Sequence, residues 1–237
     1  MTSTTSNLVP IIRKEDFEKE ATEFLSKYSL DSLERPSAVP ITKIAVEKMG
    51  LKVLYHRLTE DFSVFGQMCF GSGKTEIYDN ENDEYRLILV EKGTMIIDPD
   101  TYELRNLGCL NNTIAHESYH WYKHRAYHIL RSTLDNETSV AMRCPVQQTN
   151  ERFTEKWSDE DWMEWHANNI APRILMPIQT VKLVFDKLYA KSKSVILVAN
   201  GLTSTIEWVK ERMADFYKVS KQSAGIRLKE LGYDESN

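Results

Sequence analysis

The stretch that decides this chain's reading is Thr113-Ile114-Ala115-His116-Glu117-Ser118-Tyr119-His120-Trp121-Tyr122-Lys123-His124. Within it, His116-Glu117-x-x-His120 matches H-E-x-x-H, a pattern whose meaning depends on a helical setting. Positions four apart on a helix share one face, one turn up. Two imidazoles so placed can reach a single ion at about 2.0–2.1 Å. Glu117 then addresses a water at the metal without binding the metal itself. In that arrangement the ion activates water and polarises a carbonyl, while the glutamate takes the proton and delivers it to a leaving amine.

Five positions with three fixed occur by chance in some helices, so the context matters. The pattern has an apolar lead-in, and a candidate third ligand follows it. A catalytic zinc takes three protein ligands and keeps one position open. Glu164, in Glu164-Trp165-His166-Ala167-Asn168-Asn169-Ile170-Ala171, completes a His₂Glu set from a second helix. His166 is an alternative ligand, and Asp161 and Glu160 are weaker ones. His124 and His128 continue the four-residue row, but His124 falls roughly 12 Å along the axis from His116. Both read as partly exposed or supporting histidines, and His56 as structural.

Outward from this centre, the chain divides by its hydrophobic period. Phe17, Ala21, Phe24, Leu25 and Tyr28 recur at helical spacing, and a second short helix over 41–49 ends at Gly50. From 51 to 98, five short segments (51–56, 62–70, 75–78, 85–91 and 94–98) are separated by Gly- and Asn-containing turns. One long helix is predicted over 107–130, then a polar loop to about 158. Further helices follow over 159–171, 177–190, 203–217 and 220–231, with Pro172 expected to kink or end the first of them. The predicted class is α+β: a small, mainly antiparallel sheet packed with a mostly helical, zincin-like core. All 237 residues are read as one domain. It comprises N-terminal helices (14–50), the sheet (51–98), the zinc-site helices and intervening loop (107–177), and the C-terminal helices (178–237).

Composition bounds the function. Hydrophobic residues make up 41% and charged residues 27%, as in an ordinary globular protein. A net charge of −5 argues against a protein that coats nucleic acid, so no direct nucleic-acid binding is expected. The first residues lack a signal-peptide pattern, and no stretch approaches the roughly 18 apolar residues of a membrane span. Cys69, Cys109 and Cys144 are odd in number and far apart, which suits a reducing compartment. The expected location is cytoplasmic, with no membrane partner.

Three other signals are set aside. Gly71-Ser72-Gly73-Lys74-Thr75 imitates the end of a phosphate loop, but Met68 stands where the motif requires its first glycine. The helices around Lys218-Val219-Ser220 imitate a DNA-binding pair, yet Ala224, Leu228 and Leu231 are spaced for core packing. Trp157, Trp162 and Trp165 are expected to pack the Glu164 helix onto the zinc helix.

Together these residues resemble the ImmA/IrrE family of metallopeptidases over most of the chain. Thr113-Ile-Ala-His116-Glu117-x-x-His120 is similar to the family's zinc helix. Glu164-x-x-Ala167-Asn168-x-Ile170-Ala171, followed by Ile174-Leu175-Met176-Pro177, resembles its second signature. Phe216-Tyr217-Lys218-Val219-Ser220 and Arg227-Leu228-x-x-Leu231-Gly232 resemble a third. The chain departs from the pattern at Ile170, at Pro172 and in the long segment over 131–158, for which a lid or substrate-contacting loop is one reading and a surface loop the other. The resemblance implies that His116, His120 and Glu164 hold Zn²⁺, with Mn²⁺ or Fe²⁺ as other occupants, and that Glu117 is the catalytic residue. It further implies an endopeptidase that cuts a helix-turn-helix transcriptional repressor on a mobile element, phage or stress regulon. The alternative is a regulatory module that binds a repressor without cutting it.

Overall fold

The computed structural model describes residues 9–102, 106–134, 141–145, 157–198 and 205–233. A 3₁₀ turn leads into α1 (Phe17–Tyr28), followed by α2 (Asp31–Glu34) and α3 (Ile41–Lys43), which continues as a π turn over Ile44–Lys48. Strands β1 (Lys52–Tyr55), β2 (Val64–Cys69), β3 (Gly73–Asp79), β4 (Glu84–Val90) and β5 (Thr94–Ile97) come next. Then α4 (Leu107–Tyr119), a π turn (His120–His124) and α5 (Arg125–Leu134) run as one continuous helix. After β6 (Ala141–Pro145) the chain is helical: α6 (Asp159–Leu175), α7 (Ile178–Val198), α8 (Thr205–Tyr217) and α9 (Lys221–Glu230). The class is α+β.

The main sheet has the order β1-β5-β2-β6. It is mixed: β1 pairs with β5 in parallel, whereas β2 is antiparallel to both β5 and β6. The antiparallel β3–β4 hairpin forms a separate two-stranded sheet between β2 and β5 in sequence. Part of the 131–158 segment expected to be a loop is therefore regular. The long helix extends to Leu134, and Ala141–Pro145 adds a strand beside β2.

Phe17, Ala21, Phe24 and Leu25 of α1 are buried, as their spacing predicts. They join Ile114, Ala115 and Tyr119 of α4, Met163, Ala167, Ile170 and Ile174 of α6, and Met68, Met95 and Ile97 of the sheet. A second cluster, including Leu58, Val64, Ile77, Val90 and Ile96, fills the space under the hairpin. Gly50 closes the second helix with φ +70°, a conformation that a Cβ disfavours.

A capping box starts α6: the Ser158 hydroxyl accepts from the Asp161 N–H at 3.1 Å, and the Asp161 carboxylate accepts from the Ser158 N–H at 2.9 Å. Pro172 neither ends nor interrupts α6 as expected; the helix runs on to Leu175. Near the helix end, packing of Ile170, Ala171, Ile174 and Leu175 outweighs the one backbone donor a proline lacks. The Gly73-Lys74-Thr75 run opens β3, so no phosphate loop forms.

The last two helices are packed inward. Ala224 and Leu228 are buried, and the Lys218–Ser220 turn lies directly on the start of α4. A Cβ on Gly108 would come 2.2 Å from both the Ser220 nitrogen and the Val219 carbonyl carbon. Asn111 strengthens the contact by donating to the Lys218 carbonyl at 2.8 Å. Because backbone cannot yield as a flexible side chain can, Gly108→Ala should destabilise the protein by about 1–3 kcal/mol, the cost of overpacking a dense interior. Denaturant unfolding beside the wild type would measure this; an unchanged midpoint would mean that the α8–α9 turn does not bear on α4.

Candidate metal centre

The centre is built where α4 crosses α6. His116, Glu117 and His120 are each 1% exposed, and Glu164 is 8% exposed. The two ligand imidazoles approach Nε2 to Nε2 at 2.8 Å. Glu164 bridges them, with Oε2 3.2 Å from His116 Nε2 and Oε1 3.3 Å from His120 Nε2. These contacts are close but lack hydrogen-bonding alignment, so both carboxylate oxygens stand buried without a hydrogen-bond partner. Orphaned oxygens of this kind are costly unless a cation satisfies them. Taking one donor atom from each residue, the three lie within 4.8 Å of one another, close enough to hold one ion. Among the described residues this is the one group of three or more metal-binding side chains found close enough to share an ion.

The protonation states fit a metal site. Burial depresses the His120 pKa more than Glu164 raises it, favouring the neutral imidazole that ligation needs. For Glu164, burial by itself pushes the pKa up, but the His120 and His116 imidazoles outweigh it and hold the group ionised well below the usual carboxylate range. Glu117 goes the other way. Burial, and then the negative charge of Glu164, push its pKa well above the ordinary value, as suits a group that accepts and returns a proton.

Sequence reasoning missed what holds Glu117. A Cβ on Gly66 of β2 would lie 2.7 Å from Glu117 Oε1 and 2.7 Å from Thr113 Cγ2. The glycine thus lets the strand press against the glutamate. The available signal was a glycine inside an apolar strand, which often marks close approach.

The other candidates are placed elsewhere. Glu160 pairs with Arg131 and accepts from the Tyr127 hydroxyl. Asp161 is occupied by the α6 cap, and His166 lies outside the group whose donor atoms converge. His128 stacks on Phe70 with ring centroids 4.0 Å apart. Neither it nor His124 is exposed, and the His120–His124 π turn sets His124 Nδ1 3.0 Å from His120 Nδ1. The tryptophans pack differently from expectation. Trp165 meets Phe17 of α1 edge-on at 4.8 Å and Trp162 at 5.5 Å, so the cluster joins α6 to α1. The reason is rotational: Met163, Glu164, Ala167 and Ile170 occupy the fully buried side of α6, leaving Trp162 and Trp165 at its edge.

In comparisons with known proteins, the sequence matches no family model and no curated protein.

Purified wild-type protein should carry about one metal ion per chain, and Glu164→Ala should lose most of it, as elemental analysis would show. Metal-free protein that is folded and chelator-free would contradict the site. A pH effect follows from His128, whose pKa burial, with a smaller contribution from His120, lowers from 6.5 to about 4. Between those values the unfolded chain binds a proton that the folded protein excludes, so stability falls as pH drops through this window. The slope from one such group approaches about 1.4 kcal/mol per pH unit. His128→Leu should flatten the wild-type decline by that amount in denaturant titrations; parallel curves would assign the decline to other groups.

Proposed function

We propose that this protein is a zinc-dependent endopeptidase of the ImmA/IrrE type. The observation that carries the reading is the convergence of His116, His120 and Glu164 beside a buried, unpartnered Glu117 oxygen. The two-histidine, one-carboxylate donor set favours zinc; manganese or iron can occupy related sites. When bound, the ion supplies Lewis-acid polarisation of the scissile carbonyl and acidification of water.

The protein's own residues do the remainder. Glu117 receives the proton from the attacking water and passes it to the departing amine. Gly66 lets β2 close over the Glu117 carboxylate, and the low exposure of His116, Glu117, His120 and Glu164 strengthens every charge interaction among them. The proposed substrate, a helix-turn-helix repressor, follows from the family resemblance alone.

Glu117→Gln should retain the metal yet lower peptide cleavage by about 10²–10⁴-fold, the scale of a lost general base. Gly66→Ala should also keep the metal, while displacing Glu117 and costing on the order of 10²-fold. Mass spectrometry of candidate repressors after incubation distinguishes the outcomes. Two fragments from one bond support the enzyme; an intact repressor held in a stable complex supports the binding module instead. Cleavage that persists in metal-clean Glu117→Gln would overturn the mechanism.

A further inference from the structure

Beyond the ligands lies a run of buried imidazoles that the peptidase reading leaves unused. His120 presents Nε2 to Glu164 and His116, and its Nδ1 lies 3.0 Å from Nδ1 of His124. His124 is 0% exposed and its other nitrogen, Nε2, is buried without a partner. Its ring centroid is 5.8 Å from that of His166, tilted by 30°. His166 in turn has Nδ1 buried and unpartnered. By contrast, Nδ1 of the other ligand, His116, has no hydrogen-bond partner among the described residues.

The geometry points to His124 as a positioning residue that fixes the proton of His120 on Nδ1 and so leaves Nε2 free for the metal. The direction of the chain follows from hydrogen-bond bookkeeping. A neutral His120 that ligates through Nε2 must carry its proton on Nδ1, and that proton can only be directed at an acceptor. His124 Nδ1 is therefore unprotonated, which places the His124 proton on Nε2.

His120 and His124 stand four positions apart on one face of the helix, within the π turn, and their Nδ1 atoms lie within hydrogen-bonding distance. Partners that hold the far nitrogen of a ligating histidine set its tautomer and raise its basicity.

This inference rests on the metal-binding reading, and the test separates the two. Zinc affinity would be measured by competition with a chromophoric chelator for wild type, His124→Leu and His124→Asn, alongside thermal unfolding of each metal-free protein. Leucine removes the acceptor, whereas the asparagine oxygen can take the place of Nδ1. The expected result is a loss of about 10–100-fold in affinity for His124→Leu, with most of it restored in His124→Asn. Nitrogen-15 spectra of the zinc-loaded wild type should show protons on His120 Nδ1 and His124 Nε2. Unchanged affinity in His124→Leu, equal losses in both variants, or a proton on His124 Nδ1 would overturn the positioning role while leaving the metal site intact. A wild type that binds no zinc would overturn both.

Discussion

The structure depends on one electrostatic constraint: a carboxylate buried between two imidazoles, with no hydrogen-bond donor aligned to either oxygen. Left unsatisfied, such a group is among the most expensive features a core can contain. Its cost is accepted at the crossing of α4 and α6, where Ile114, Ala115, Met163, Ala167 and Ile170 close the interior around it. The packing that forms the core thus also sets the distance between the candidate ligands.

The back of the site is held by charge as well as by apolar contact. Glu18 of α1 receives two contacts from Arg227 of α9, at 2.5 and 2.8 Å, and a third from Arg173 of α6. Arg173 and Arg227 also meet Glu230. Both arginines are nearly inaccessible, and the fork geometry of guanidinium suits such multiple pairing. The network ties the N-terminal helix, the third-ligand helix and the last helix together. It gives the C-terminal pair a structural task that a free DNA-reading pair would not have.

Two irregular places sit next to the candidate site. Gly66 admits the Glu117 side chain where any Cβ would collide with it, beside a register shift in β2, and a π turn runs from His120 to His124.

Much of this was legible in the order of residues. H-E-x-x-H specified that His116 and His120 share a face, because helical period alone decides that relation. Apolar spacing located α1, α4, α6, α8 and α9, since local periodicity reports which face is buried. The sequence also nominated Glu164, though not to the exclusion of His166, Asp161 or Glu160. Only the tertiary structure decided among them: Asp161 is used in a cap, Glu160 in an ion pair, and His166 lies outside the converging group. It alone decided that the sheet is mixed, that β6 joins β2, that Trp165 faces Phe17, and that Gly108 touches the α8–α9 turn. The physical reason is common to all of these. They are contacts between segments distant in the chain, and a local pattern fixes which side chains turn inward, whereas the packing of whole elements selects what they meet.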